Sequence, residues 1–398
     1  MSHRLRVRDV GTICYIAISH PDCKEPLMTA PHLFSPLAIC PLTVPNRIAA
    51  APMCQYSAND GAASDWHIQH LMQLALSRVG LVVLEATGVE RHGRITHSCL
   101  GLYSDLNEGA LARALDAARR VATPDTKWGI QLAHAGRKAS TQRPWDGGGP
   151  LKDGEDPWVT SAPSAIPFAD NYHTPVALDA HGLDRIRNAF CQATERAVRV
   201  GFDVIELHAA HGYLLHEFMS PISNHRTDQY GGSLENRMRF PLEIARAVRA
   251  LMPPRMALGA RITGYEWIEG GIDTNEATAF ANAFQAAGGT YVCVTSGGNV
   301  SRAKIVAGPN YQVPFAAAVK TGSTIVTRAV GMIADANQAN EIITSGQADQ
   351  IALARALLDN PRWVWHAAEK LGATLSYPPQ YARAAAKLWP GAAIARAQ

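Results

Sequence analysis

Short apolar or β-branched runs recur eight times along the chain, and each is followed by a segment with helical periodicity. Apolar runs of this length that alternate with amphipathic helices are typical of a buried parallel sheet. Eight such units favour a closed (β/α)8 barrel, the TIM barrel of the α/β class, over an open sheet. We predict strands at 48–52, 81–86, 128–133, 203–208, 256–262, 290–295, 324–329 and 349–354, and helices at 66–79, 106–121, 183–200, 234–251, 274–287, 312–320, 334–345 and 362–371.

The barrel is expected to form a single domain over residues 31–375. No GxGxxG motif follows the first strand and no GxxxxGK[ST] loop is present, which argues against the common nucleotide-binding open sheets. A segment rich in Gly, Asp, Pro and Trp at 142–163 predicts a long loop after strand three, a candidate lid. Residues 376–398 are expected to form a tail at a subunit interface.

Residues 1–30 are expected to form a disordered extension. Arg4, Arg6 and Arg8 precede an apolar run at 11–18, which is short for a signal peptide and has no clear cleavage site. Met28 is an alternative start, so the sequence leaves open whether 1–27 belong to the native protein.

Composition favours small molecules as partners. The net charge is +3, and no Lys/Arg run is dense enough for nucleic acid or an anionic membrane. No stretch reaches the roughly 18 apolar residues of a membrane helix. The seven cysteines include no CxxC pair, and their odd number gives little support for a disulfide scaffold or an iron–sulfur cluster. We therefore expect a cytoplasmic protein.

Polar residues gather at the predicted carboxyl ends of the strands, where barrel enzymes bind their ligands. In strand four, Glu206 and His208 share one face, and the apolar Ile205 and Leu207 share the other. The polar pair should therefore point into the barrel. Each such residue alone could belong to an interior polar network, but the set predicts a ligand site. Other members at these strand ends are Cys54, Tyr56, Gln131, His211, Tyr213 and Arg261.

The last two units indicate a phosphate site. Gly331 follows strand seven and Arg355 follows strand eight, positions from which barrels often hold phosphate. Backbone N–H groups around Gly331 and the guanidinium of Arg355 suit phosphate oxygens. Taken alone, they would be a turn glycine and a surface arginine. Together they favour a phosphorylated cofactor, and FMN fits such a site without a dinucleotide fold.

Six short motifs follow one another along the chain. They are APMCQY at 51–56, QLAHAGRK at 131–138, HAAHGY at 208–213, LHEFMSP at 215–221, SNHRTDQYGGS at 223–233 and ENR at 235–237. In this order they resemble the old yellow enzyme family, specifically its bacterial branch of NADPH dehydrogenases and xenobiotic reductases. The resemblance runs from about residue 33 to residue 383.

The resemblance implies an FMN-dependent ene-reductase that uses NADPH or NADH to reduce enones or nitro compounds. His208 and His211 would donate hydrogen bonds to the substrate oxygen, as an oxyanion site requires. Tyr213 would donate the proton, and Tyr56 would line the site. Cys54 would lie beside the flavin and tune its potential. Flavin contacts are implied for Ala51, Pro52, Met53, Cys54, Ala86, Gln131 and Arg261, and phosphate contacts for Ala354 and Arg355.

The tail also carries an implied role. Its segment at 379–383 resembles one that reaches the active site of a neighbouring subunit. Arg383 is thus a candidate substrate contact in a homodimer or homotetramer. An exposed arginine without that role is the alternative.

Two other functions stay open. A flavin-binding redox sensor could use Cys54, whose reactivity depends on a pKa that sequence cannot give. A metal-dependent barrel hydrolase could use His208 and His211 with Glu206 or His216, although its HxH pair after strand one and an HExxH motif are absent. An FMN-dependent ene-reductase requires no metal ion. The sequence does not specify the physiological substrate, the stereochemistry or the choice of nicotinamide.

Overall fold

Eight parallel strands close on themselves at the centre of the molecule. A computed structural model of the chain describes residues 32–396. The closing contact joins the last strand to the first, with Ile351 beside Ile48. The predicted (β/α)8 barrel and its eight strands are confirmed. The strands, labelled β1 to β8 in chain order, are Ile48–Ala50, Leu81–Gly88, Lys127–Ala133, Val204–Ala209, Ala257–Thr263, Tyr291–Thr295, Val326–Ala329 and Gln350–Leu353.

Strand β1 ends two residues before the predicted boundary because Pro52 follows it. Proline has no backbone N–H and cannot donate to a strand ladder. The N–H of Ala51 makes the last contact with β8, 2.9 Å from the carbonyl oxygen of Leu353. The chain then leaves the sheet, and residues 53–56 form a loop beside β2.

Helices surround the barrel, and several begin at residues that are good N-caps. Ser104, Asp179 and Asp273 each accept a hydrogen bond from a backbone N–H of the first helical turn. Such caps satisfy donors that have no partner inside the helix. The eight predicted helices are present, one with the predicted bounds 234–251 and seven with shifted ends, and three short ones (α4, α9 and α11) were not predicted. The helices are α1 Asp65–Ala75, α2 Asp105–Val121, α3 Ala180–Val200, α4 Leu214–Met219, α5 Leu234–Leu251, α6 Thr274–Ala286, α7 Val313–Thr321, α8 Ala336–Thr344, α9 Arg355–Asp359, α10 Trp363–Leu371 and α11 Ala392–Ala395.

Two apolar layers stabilise the barrel. Ile205 and Leu207 belong to the large layer between strands and helices, whereas Val204 belongs to the layer inside the barrel. An antiparallel hairpin, Leu37–Ile39 with Leu42–Val44, packs into this inner layer. Most apolar residues of the inner layer lie toward the amino ends of the strands. The polar side chains lie toward the carboxyl ends. The predicted inward direction of the polar face of β4 is confirmed.

The connection between β3 and α3 is the long loop that the sequence predicted, and it extends over residues 134–179. Within it, Ser161–Ala162 pairs with Val176–Ala177 in a two-stranded parallel sheet. The exposed Trp145 packs edge-on against Tyr56, with ring centroids 5.7 Å apart. The loop therefore reaches the carboxyl side of the barrel.

The tail packs against α10 of its own chain. The ring of Tyr377 lies 4.4 Å from that of Trp365, and Glu369 pairs with both Tyr377 and Arg396. The predicted extension at 1–30 lies outside the described residues. No helix between residues 32 and 396 is long and apolar enough to cross a membrane.

Candidate active site

The three predicted catalytic side chains, His208, His211 and Tyr213, lie in contact at the carboxyl end of β4. The ring centroid of His208 is 5.2 Å from that of His211 and 4.8 Å from that of Tyr213, both in edge-to-face geometry. His208 is in β4, and the other two are in the turn before α4. The strand register also places His208 beside Arg261 of β5. The structure thus joins the predicted substrate and flavin residues in one cluster.

Two glycines shape the turn that carries His211. His211 and Gly212 have positive φ values of 61° and 74°. A Cβ atom on Gly212 would lie 2.3 Å from the carbonyl oxygen of Gly298, and one on Gly298 would lie 2.7 Å from Cα of His211. Because the two backbones approach so closely, a side chain at either glycine would clash. The loop after β4 is therefore fixed against the loop after β6.

A buried histidine supports this turn from behind. Nδ1 of His216 accepts a hydrogen bond of 2.8 Å from the N–H of Gly212, and its Nε2 lies 3.0 Å from Glu266. Burial raises the pKa of Glu266, but contacts with His216 and with the N–H of Ile272 outweigh it, so the pKa is lowered overall. His216 therefore positions the turn that carries His211 and Tyr213, whose catalytic roles are predictions.

These contacts do not support a metal site. His216 is directed at Glu266, and Glu206 is bonded to Gln131 and Tyr291. His216 and Glu206, the two additional metal ligands that a hydrolase would need, are therefore already bonded to other side chains. In the described part of the chain, no three His, Cys, Asp or Glu side chains are grouped so that they could hold a metal ion.

Burial keeps the imidazoles neutral and the phenol protonated. The pKa values of His208 and His211 lie well below the ordinary value, mainly because of burial and then because of the charge of Arg261. Burial, followed by the proximity of Cys54, raises the pKa of Tyr213 well above its ordinary value. At neutral pH each imidazole therefore carries one N–H, and the phenol keeps its O–H.

His211 has a partner deeper in the barrel, at the end of β6. Its Nε2 lies 3.0 Å from Oγ1 of Thr295, whose hydroxyl donates to Oε1 of Gln312 at 2.6 Å. Thr295 and Gln312 are both buried. In contrast, Nδ1 of His208 is buried without a hydrogen-bond partner among the described residues. The two histidines are thus held differently.

Lys138 links the catalytic turn to the loop after β6. Its Nζ donates to the carbonyl oxygens of His211 at 2.8 Å and of Gly298 at 2.9 Å. The ammonium group also lies 5.2 Å from the ring centroid of Tyr213. Burial lowers the pKa of Lys138 to about 8, although Glu217 opposes the shift. Lys138 therefore fixes the backbone that bears the predicted proton donor.

A bulge in β2 positions the loop that carries Cys54. The pairing register shifts at Glu85, so that Ala86 lies beside Gln131. The buried Glu85 accepts a hydrogen bond of 3.0 Å from the N–H of Gln55, and its other oxygen lies 3.4 Å from Nε2 of His67. Burial raises the pKa of Glu85, with His67 opposing. One carboxyl group thus anchors the loop to β2.

Cys54 is a half-buried free thiol on this loop. Its pKa is raised well above the ordinary value by burial and then by Cys99 and Glu85. Thiol reactivity requires the thiolate, which such an environment disfavours. This argues against the redox-sensor interpretation. Tyr56, two residues on, has a left-handed φ of 48°, and burial raises its pKa as well.

The predicted flavin ligand Gln131 takes part in an interior network. Its Nε2 donates to Glu206 at 2.8 Å, and Glu206 also accepts from the hydroxyl of Tyr291 at 2.8 Å and from Arg328 at 3.1 Å. All four side chains are buried. The amide nitrogen of Gln131 therefore belongs to a polar network inside the barrel. The contact of Gln131 with a flavin stays a prediction.

Several donors at the carboxyl ends have no partner in the described protein. They include Nε of Arg261 and Oγ of Ser296, besides Nδ1 of His208. Buried polar groups are seldom left unpaired, so these groups indicate a bound ligand with several acceptors. The isoalloxazine ring of a flavin has such acceptors along its pyrimidine edge, and a guanidinium there tunes its electronics. The residues present therefore fit FMN.

The predicted phosphate residues lie at the neighbouring strand ends. Gly331 follows β7 with a φ of 113°, and Ala354 precedes α9. Arg355 is the first residue of α9, is exposed, and has no ion pair or hydrogen bond with the described residues. Ala51 is buried, and Pro52 and Met53 are half-buried on the loop after β1. Their cofactor contacts stay predictions.

Comparisons with known proteins decide the family. The sequence model described as the NADH:flavin oxidoreductase / NADH oxidase family matches residues 32–373. The chain belongs to this family. NADPH dehydrogenase from Geobacillus sp. (strain WCH70) is 42% identical over 353 residues, covering 88% of this chain and 98% of the relative. NADPH dehydrogenase from Bacillus subtilis (strain 168) is 40% identical with the same coverage.

A solved structure agrees with this membership. Morphinone reductase superposes with a TM-score of 0.71 at 27% identity, covering 88% of this chain and 93% of its own. The resemblance to old yellow enzymes is therefore confirmed, and the chain is a flavin oxidoreductase of this family.

In this flavin oxidoreductase, sequence reasoning missed Thr295, Gln312, Lys138 and Glu266. Lys138 stands inside the motif at 131–138, directly after a buried strand, and that position could have indicated it. Glu266 and Gln312 lie in loops or at a helix start and carry no local signal. Their roles come from contacts across the barrel.

Proposed function

We propose that this protein uses FMN and NADPH to reduce the activated C=C bond of α,β-unsaturated carbonyl or nitro compounds. The observation that carries the proposal is that the neutral imidazole of His208 contacts both the neutral imidazole of His211 and the protonated phenol of Tyr213. The family is one of flavin oxidoreductases, and the relatives are named NADPH dehydrogenase. Morphinone reductase was also solved in complex with tetrahydroNAD, which supports a nicotinamide as the reductant.

The cofactor would lie across the carboxyl ends of the strands. FMN, when bound, supplies the hydride that is added to the substrate. Arg261, whose Nε has no partner among residues 32–396, would pair with acceptors of the ring. The remaining contacts would come from Ala51, Pro52, Met53, Cys54, Ala86 and Gln131 at the ring, and from Gly331, Ala354 and Arg355 at the phosphate.

His208 and His211 would bind the substrate through its carbonyl or nitro oxygen. Negative charge develops on this oxygen when the β-carbon receives a hydride. N–H donors that are already in place stabilise that charge without reorganisation. The imidazoles are kept neutral by burial and by Arg261, so each carries one N–H, which donates to the substrate oxygen without an added charge when it faces that oxygen.

Tyr213 would complete the reduction by protonating the α-carbon. Its raised pKa keeps the O–H in place until carbanion character develops on that carbon. Hydride and proton together saturate the C=C bond, and the phenolate takes its proton back from solvent. Tyr56 and the exposed Trp145 would line the entrance on the side of the long loop.

A visible spectrum and a coupled assay test this function. We expect purified protein, reconstituted with FMN, to show flavin absorbance and to oxidise NADPH faster when 2-cyclohexenone is added. The double variant His208→Ala, His211→Ala should keep FMN but lose at least roughly tenfold in enone turnover and in phenol affinity, because the oxygen donors are gone. A protein that stays colourless with excess FMN, or a double variant with wild-type rates, would refute the proposal.

A further inference from the structure

With the amide oxygen of Gln312 toward Thr295, the hydrogen-bond chain from His211 through Thr295 to Gln312 places the proton of His211 on Nε2. The chain consists of a 3.0 Å contact between Nε2 and Thr295 Oγ1 and a 2.6 Å bond from the Thr295 hydroxyl to Gln312 Oε1. A threonine hydroxyl has one proton to donate. Since that proton goes to Gln312, the oxygen of Thr295 can only accept from His211.

This direction has a consequence for substrate binding. A neutral imidazole carries one N–H, so a proton on Nε2 leaves Nδ1 as an acceptor. In this form His211 has no donor left for a substrate oxygen. In contrast, Nδ1 of His208 has no partner among the described residues. The hydrogen bonds of Thr295 and Gln312 therefore do not constrain the tautomer of His208.

We propose that Gln312, acting through Thr295, is a positioning residue that selects the tautomer of His211. The inference rests on the proposed function, in which His211 donates to the substrate. An amide carries a donor and an acceptor on one carbon, and rotation of the Gln312 side-chain amide exchanges them. When the NH₂ group of Gln312 faces Thr295, it donates to the Thr295 oxygen. The Thr295 hydroxyl then turns and donates to Nε2 of His211. The ring then releases the Nε2 proton to solvent and takes one on Nδ1, so its charge is unchanged.

The surroundings suit such a selector. Thr295 is 1% exposed and Gln312 is 6% exposed, which limits competition from water. The Cβ atom of Gln312 is packed closely against Gly331. A Cβ atom added to Gly331 would lie only 2.9 Å from the Cβ atom of Gln312, so the start of the Gln312 side chain is fixed. The backbone of Gln312 is the N-cap of α7, so the side chain begins at a defined point. The rotating amide is therefore held at hydrogen-bond distance from Thr295.

Two substitutions at Gln312 separate tautomer selection from packing. Gln312→Glu is measured from about pH 7 to about pH 10, because burial raises the pKa of carboxyl groups here, as it raises that of Glu217 to about 8; once ionised, the side chain offers only acceptors and should fix the proton on Nε2. We expect kcat/KM for 2-cyclohexenone to fall by roughly tenfold, mainly through KM. Gln312→Met removes both donor and acceptor, which frees the Thr295 hydroxyl to donate to His211. This variant should retain more of the wild-type kcat/KM than Gln312→Glu retains.

A role in packing alone would give the opposite order, because Gln312→Met changes the shape and chemistry of the site more than Gln312→Glu. Thr295→Val should lose tautomer control, and Thr295→Ser should keep it because the hydroxyl remains. The exposed Gln192→Glu serves as the control for an added charge. All variants are compared at equal FMN content.

A spectroscopic measurement tests the proposal without catalysis. In ¹⁵N-histidine-labelled holoenzyme, with His211→Ala to assign the signal, the ring should be protonated on Nε2 in Gln312→Glu and on Nδ1 in Gln312→Met. If both variants show the same tautomer, or if Gln312→Met is the more impaired, the proposal is wrong. Should wild type fail to reduce enones, the proposed function falls, and the tautomer measurement still decides the role of Gln312.

Discussion

His208 is buried and His211 is half-buried, and both imidazoles are neutral, which sets the pH range of the site. Burial and then Arg261 lower both pKa values, so the neutral, active form should persist as pH falls and be lost only below the folded-state pKa. We expect kcat/KM for an enone to stay level down through about pH 6.5, the ordinary histidine value. A pH profile measured at constant FMN content checks this. An acid limb centred near about pH 6.5 would contradict the burial argument.

Tyr213 should affect only one half-reaction. Tyr213→Phe removes the O–H but keeps the ring, so oxidation of the reduced flavin by an enone should slow by roughly a hundredfold. Reduction of the flavin by NADPH needs no proton from this phenol and should be unchanged. Stopped-flow absorbance separates the two rates. Tyr230→Phe, whose hydroxyl faces Glu243, is the matched control, and equal slowing of both half-reactions would exclude the proton-donor role.

Single residues differ in how far the sequence indicates them. Alternation along β4 predicts that Glu206 points inward, and its contact with Gln131 confirms this. The partner of His211 could not be predicted in the same way, because Thr295 lies 84 positions further along the chain. Such contacts arise only when strands from opposite parts of the sequence meet. Local patterns give a residue's direction, and tertiary structure gives its partner.

Among the loops, the connection after β3 holds two others in place through Lys138. Its ammonium group bonds the backbone of His211 after β4 and of Gly298 after β6. Lys138→Met should therefore release both loops and lower kcat/KM for an enone by roughly tenfold, since two charge-assisted hydrogen bonds are lost. Lys138→Arg should recover part of the rate, because a cationic donor returns.

The matched control is Lys127→Met, which changes the lysine at the start of β3, the strand that precedes the loop of Lys138. Steady-state kinetics and thermal melting of all three variants separate local from global effects. If Lys127→Met and Lys138→Met lose activity equally, the loop contacts of Lys138 do not matter for catalysis.

The barrel strands were predictable because a buried parallel strand is mostly apolar on both faces, a pattern that can be read from the local sequence. The hairpin Leu37–Ile39 with Leu42–Val44 was missed, since three-residue strands are too short to show a period. The bulge at Glu85 was missed as well, because it depends on pairing with β3. Helix α4 was missed because six residues give less than two full turns of periodicity.

At the scale of the whole molecule, the position of the tail bears on the contact between subunits. The tail packs on α10 through Tyr377 and Glu369, which leaves Arg383 exposed in the turn Pro379–Ala384. An exposed guanidinium on an anchored segment can reach a second subunit without a large ordering cost. We therefore predict a homodimer or homotetramer in which Arg383 contacts the neighbour's substrate. Mass photometry should show the oligomer at low concentration.

Mixed oligomers test that prediction directly. Arg383→Ala should raise the KM for an enone by roughly tenfold, because a charge-assisted contact is lost. The double variant His208→Ala, His211→Ala is impaired for a different reason, the loss of the oxygen donors, and keeps Arg383. Co-expression of the two should restore a wild-type KM in part of the sites, since the histidine-deficient subunit supplies Arg383 to its partner. A monomeric protein, or mixtures with no more activity than the separate variants, would show that Arg383 has no role across subunits.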